Sequence, residues 1–159
     1  MAKKFKLIFF IAFFLWICYI IKTKVLDLIV GNYMLGKKIE KYEKKLKNLS
    51  EKDEKNEKET RNGNDKKDIQ INLFTLGFMY YDKLRDYEKA LEYFQQIIAE
   101  YPNCDFAEMV QFAIGYCYEQ LGRIELAVHE YKNYLQKYPE GKQATILHEK
   151  LKKLEGQAA

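Results

Sequence analysis

The chain carries an unbroken apolar run from Leu7 to Ile21, preceded by Lys3, Lys4 and Lys6 and closed by Lys22 and Lys24. A lysine-flanked run of this kind predicts a membrane-targeting helix over residues 1–24. Its fifteen residues fall short of the roughly 20 that a spanning helix wants, but Lys6 and Lys22 can snorkel and lengthen the effective span. No pair of small residues at cleavage-site spacing follows, and Leu15-Trp16-Ile17 precede Cys18 where a lipid-acceptor cysteine wants a small neighbour. The run therefore reads as an uncleaved single-pass anchor rather than a removed signal.

Past the run, Val25, Leu28, Asn32, Leu35, Ile39, Tyr42, Leu46 and Leu49 recur at alternating spacings of three and four. As a and d positions they give Val25, Asn32, Ile39 and Leu46 in one layer and Leu28, Leu35, Tyr42 and Leu49 in the other, a composition that suits a parallel two-stranded coil with Lys38 and Glu43 paired between chains. Gly31 and Gly36 each cost such a helix about 1 kcal/mol. Two readings of residues 25–50 stay open: a parallel homodimer through residues 25–49, or a single amphipathic helix lying in the headgroups or against another protein. From Ser50 to Asp68 the apolar positions vanish. Residues 51–68 thus read as a charged, flexible linker, with too little apolar surface to offset the entropy of ordering.

The next stretch repeats itself. Leu76-Gly77 with Tyr80, Ala90, Phe94 and Pro102 returns as Ile114-Gly115 with Tyr118, Ala127, Tyr131 and Pro139. The offset is 37 residues from Ala90 onward and 38 before it, which places one extra residue around Lys83-Leu84-Arg85. Each copy predicts two antiparallel helices joined by a short turn. Gly77 and Gly115 are expected to let the second helix approach closely, where Ala90 and Ala127 present only a methyl group, while the four aromatics fill the wedge. Pro102 and Pro139 end the second helices, Asp86 is a reasonable N-cap, and Gly122 sits at the matching turn. Ala144, Leu147, Leu151 and Leu154 then predict a capping helix within residues 141–159, with a polar outer face.

These residues resemble the tetratricopeptide repeat over residues 69–140, whose pattern of Leu-Gly, Tyr, Ala, aromatic and Pro both copies follow. The family's first-helix Trp is replaced by Leu73 and Gln111, and its late small residue by Ile97 and Tyr134. The Tyr101-Pro102-Asn103-Cys104-Asp105-Phe106-Ala107-Glu108 linker and the second Tyr138-Pro139 look like the bacterial cell-envelope branch, similar to outer-membrane assembly lipoproteins and periplasmic cell-division coordinators. The resemblance implies an all-α fold of two helix-pair repeats plus a cap, and a concave groove lined by the first helices. Phe74, Phe78 and Tyr81 in one copy and Met109, Phe112, Tyr116 and Glu119 in the other then become the candidate partner-binding residues. Glu119 and Asp82 are available for a basic group, and the alternative is that these aromatics pack against neighbouring repeats. The basic clamp used by some carboxylate-binding members is absent from these stripes. Two repeats are fewer than the three usually needed for stability, so marginal folding or support from a partner is expected.

Charge sharpens the picture. Residues 1–68 hold 17 Lys+Arg against 10 Asp+Glu, whereas residues 69–159 hold 10 against 13. The basic excess belongs to the tether and the repeats are slightly acidic, which argues against nucleic acid. Cysteines 18, 104 and 117 make no disulfide framework, and Cys104 and Cys117, taken on one helix, would stand about 20 Å apart. His129 and His148 belong to no nucleophile or metal constellation, so no enzyme, cofactor or metal site is expected. The functional expectation is a protein-binding scaffold or assembly factor anchored in a bacterial inner membrane through residues 7–21, with its repeats on the extracytoplasmic side. Alternatives are a structural subunit of a motility or secretion apparatus that assembles repeat on repeat, and a cytosol-facing adaptor.

Overall fold

The computed structural model describes the backbone of residues 2–55 and 63–155 and the side chains of 13–17, 19–51 and 64–155. Its elements are α1 (Ala2–Lys55), α2 (Gly63–Phe78), a π-helical turn (Met79–Leu84), α3 (Tyr87–Glu100), α4 (Ala107–Gln120), α5 (Ile124–Lys137) and α6 (Ala144–Glu155), with no strand among the described residues. The chain divides into two compact units, residues 1–41 and 42–159.

The first unit is the greater part of α1, which passes without a break from the apolar run into the heptads. Of that run, the side chains of residues 7–12 and 18 lie outside the described residues; Phe13, Phe14, Trp16 and Tyr19 are exposed. Among the described residues no helix is long and apolar enough to cross a membrane. The heptad positions Val25, Leu28 and Asn32 are exposed.

The second unit begins in the last turns of α1 and contains both helix pairs and the cap. Within the charged stretch 51–68, α1 runs on to Lys55 and α2 starts at Gly63. Asp65 in the first turn of α2 meets the positive end of the helix dipole, and Asp68 pairs with Lys45 at 3.8 Å. Residues 56–62 lie outside the described residues.

Each second helix is one-sided. α3 buries Ala90, Leu91, Phe94 and Ile97, and α5 buries Ala127, Tyr131 and Tyr134, so each lays a single apolar face on the neighbouring helices. Asp86 caps α3 by accepting the Lys89 N–H at 3.2 Å. Both helices stop one residue before Tyr101-Pro102 and Tyr138-Pro139, since the residue before a proline is pushed away from helical geometry.

The glycines work differently from expectation. A Cβ on Gly77 would stand 2.5 Å from Cε1 of Phe94, and one on Gly115 would stand 2.5 Å from Cε1 of Tyr131. What lies flat on each glycine is therefore an aromatic ring of the second helix, not the methyl group of Ala90 or Ala127. Both rings are fully buried.

The extra residue of the first copy is absorbed inside a helix. Left-handed backbone closes both turns, at Arg85 (φ 53) and Gly122 (φ 71), and these positions are 37 residues apart. The insertion therefore lies before Arg85, where the chain widens into the π-turn and the N–H groups of Arg85 and Asp86 both reach back to the Tyr80 carbonyl. Arg85 accepts a conformation that costs a non-glycine residue roughly 1 kcal/mol.

α6 buries Ala144, Leu147, Leu151 and Leu154, and the last three join Ala127, Tyr131 and Tyr134 in one core cluster. The burial pattern of α4 at Val110, Ile114 and Cys117 recurs at Leu147, Leu151 and Leu154, a constant offset of 37. α6 thus repeats the burial register of a first helix. Exposed Lys152 stands at the register of Gly77 and Gly115.

Candidate functional site

Along α2 and the π-turn, Phe74, Phe78 and Tyr81 form a row beside the core face, all partly buried. On α4 the matching row is Met109, Phe112, Tyr116 and Glu119, of which only Met109 is open. The rings touch in sequence: Phe106 meets Phe74 at 4.4 Å between centroids, Phe74 meets Phe78 at 4.7 Å, Phe78 meets Tyr81 at 5.4 Å and Tyr81 meets Tyr116 at 5.4 Å. The row also leans inward. Phe78 and Tyr81 reach the buried ring of Phe94 at 5.6 and 6.1 Å, and Phe112 reaches Tyr131 and Tyr134 at 6.1 and 6.4 Å. These aromatics thus pack on one another and on the core, and they are only partly buried. Each edge-on or offset pair contributes about 0.5–1.5 kcal/mol beyond its buried area.

The row ends in a cleft of about 240 Å³ between Tyr81, Asp82, Arg85, Tyr87, Tyr116 and Gln120. Burial pushes the Tyr81 phenol up to about 12, so it is a neutral hydrogen-bonding group at any physiological pH. Asp82 pairs with Lys83 at 2.6 Å.

Glu119, read from sequence as available for a basic group, is already engaged inside the chain. It accepts the Tyr131 hydroxyl at 2.6 Å and pairs with Lys150 of α6 at 2.7 Å. Burial first, and Glu119 second, raise the Tyr131 phenol far above its ordinary range. Lys150 also stands 5.3 Å above the ring of Tyr116 and 5.6 Å above that of Tyr131. The cation beside this row thus comes from α6, not from α2 or α4.

Exposed aliphatic side chains recur at the register of Met109. Ile71, Met109 and Ile146 occupy the same register of α2, α4 and α6, at offsets of 38 and 37, and are 43, 50 and 58% exposed. One aliphatic side chain on each of α2, α4 and α6 is thus exposed at this register. Of these three only Met109 is among the residues named from sequence; the offset of 38 leads from it to Ile71, and carrying the register by 37 into the capping helix leads to Ile146.

Elsewhere the polar groups serve the fold. Glu108 at the start of α4 accepts the Tyr134 hydroxyl at 2.7 Å and the Lys142 N–H at 2.8 Å, and these bonds lower its pKa. Arg123 grips both oxygens of Glu88 across the repeats. Cys104 lies in the turn before α4 rather than on the same helix as Cys117, because α4 starts only at Ala107. Burial pushes the Cys117 thiol up to about 12, which leaves almost no nucleophilic thiolate at neutral pH. His129 and His148 are exposed, and no group of metal-ligating side chains occurs among the described residues.

Residues 72–103 and 109–141 each match the family model of the tetratricopeptide repeat. No curated protein matches the chain.

Proposed function

We propose that this protein is a non-catalytic scaffold or assembly factor that binds a partner protein along the first helices of its two tetratricopeptide repeats and is anchored in a bacterial inner membrane by residues 7–21. The observation that carries the binding half of this reading is the ladder of Ile71, Met109 and Ile146 above the aromatic row. Three aliphatic side chains repeated at one register match an apolar or amphipathic segment that crosses successive first helices, and burying such a set supplies the non-polar centre a stable interface needs. The lysine-flanked apolar run supports the anchor. The envelope-like linkers at Tyr101-Pro102 and Tyr138-Pro139 support an extracytoplasmic position for the repeats by resemblance alone.

Assembly by stacking repeat on repeat fits less well. Lys152 occupies the position where a following helix would seat its ring, and burying an unpaired ammonium there costs several kcal/mol.

The test is affinity capture with the full-length chain in detergent. Met109→Asp puts a charge on an exposed position, so its thermal melt is expected to stay within about 0.5 kcal/mol of the parent. Partner recovery is expected to fall at least tenfold, the equivalent of about 1.4 kcal/mol. Undiminished recovery would place the partner elsewhere.

A further inference from the structure

The outer face of the first helix pair has no repeat before it, yet its Tyr80 is buried. In the second repeat the residue at the same register, Tyr118, accepts a hydrogen bond from Gln95 Nε2 at 2.8 Å, and Gln95 lies on the second helix of the preceding pair. In the first repeat the Tyr80 hydroxyl donates to Glu43 Oε1 at 3.0 Å, and Tyr93, whose ring stacks on Tyr80 at 5.7 Å, donates to the same oxygen at 3.4 Å. Glu43 lies on α1. Glu43 of α1 thus supplies to Tyr80 the kind of hydrogen-bond partner that Gln95 supplies to Tyr118.

We propose that residues 42–51 of α1 are a detachable amino-terminal cap, docked on the first repeat through Glu43 and the paired hydroxyls of Tyr80 and Tyr93, and that its release loosens the tyrosine end of the groove. The docked segment is held lightly. Tyr42, Leu46 and Leu49 are only half buried, and its other polar tie, Lys45 to Asp68, is a long ion pair between half-exposed side chains. A pair of that kind contributes little. Tyr42, Leu46 and Leu49 are also heptad positions that a parallel coil would pair with a second copy of the chain. The Glu43 that a coil would pair with Lys38 is bound to two phenols instead.

The route to the groove is one residue long. Tyr80 belongs to the π-turn, and its neighbour Tyr81 in that turn packs on Tyr116 and Tyr87 at the cleft. A turn with widened hydrogen bonding is a weak point in a helix, and losing the Glu43 tie on one side frees the turn that positions Tyr81 on the other.

Hydrogen exchange on the full-length chain tests this, comparing Glu43→Ala and Tyr93→Phe with Lys44→Ala, whose exposed side chain serves as the control. Glu43→Ala is expected to speed exchange at residues 42–51 and 79–87 at least tenfold and to leave residues 124–155 at the parental rate. Tyr93→Phe, which removes one of the two hydroxyls and little packing, is expected to give a smaller increase in the same two segments, and Lys44→Ala none. Parental exchange at 42–51 or at 79–87 in Glu43→Ala overturns the proposal, as does equal acceleration at 124–155, which would make Glu43 a general stabiliser rather than a latch. None of these readouts depends on a partner, so they stand apart from the capture experiment.

Discussion

Truncating Phe94 to alanine is expected to destabilise the repeat unit by about 3–5 kcal/mol, a large part of the 5–15 kcal/mol that holds a typical domain together. The ring is fully buried and lies flat on the Gly77 backbone. Gly77 has no side chain to refill the space, and Phe78 and Tyr81 pack on Phe94. The cavity therefore persists, and the two rings that floor the groove lose their support. Urea unfolding of the full-length chain followed by helical circular dichroism checks the prediction. A loss below about 1 kcal/mol would mean that the first helix pair collapses freely around the gap and is not packed as described.

Gly115→Ala tests the other half of the same contact, and the sign of the effect is the point. In an open helix the change should stabilise by about 1 kcal/mol, as expected at Gly31 or Gly36, where a new Cβ meets nothing within 4 Å. At Gly115 the methyl group would stand 2.5 Å from Cε1 and 2.6 Å from Cδ1 of Tyr131. That ring is fully enclosed, and its hydroxyl is tied to Glu119 at 2.6 Å, so it cannot swing aside without giving up a charge-assisted bond. A net loss of about 1–3 kcal/mol is expected, measured by the same unfolding curve. A gain, matching Gly36→Ala, would show that the ring does not lie on this glycine.

The repeats were legible in the sequence because their punctuation is local. Glycine, aromatic and proline at fixed offsets announce a helix pair wherever they fall, and the single shift from 37 to 38 located the irregular turn. What that turn became was not legible, since an extra residue can bulge a loop or widen a helix and the letters are the same. The glycine contacts were misassigned because register tells which helices meet but not how deep a ring reaches. Cys104 was placed on a helix that starts three residues later, the usual uncertainty at a helix end. Of the candidate binding residues, Met109 is exposed, while Phe74, Phe78, Tyr81, Phe112 and Tyr116 are partly buried, because how far a ring on a helix stripe tilts toward its neighbours is not written in the spacing. Ile71 and Ile146 were within reach, because both follow from extending the register by 38 and 37. Two ties were out of reach: Glu43 to Tyr80 and Tyr93, and Lys150 to Glu119. Each joins residues at least 31 positions apart, and a carboxylate among many carboxylates carries no mark of the phenol or ammonium it will find.

The central claim, that the first helices carry the partner, is tested most directly by site-specific photo-crosslinking in cells. A photoreactive side chain at Met109 or Ile71 sits on the proposed ladder, whereas one at Leu126, equally exposed at 46%, sits on α5, the second helix of its pair. Adducts of one defined mass at both ladder positions and none at Leu126 are the predicted result. An adduct at Leu126 with none at Met109 or Ile71 would contradict it and move the binding surface to the second helices.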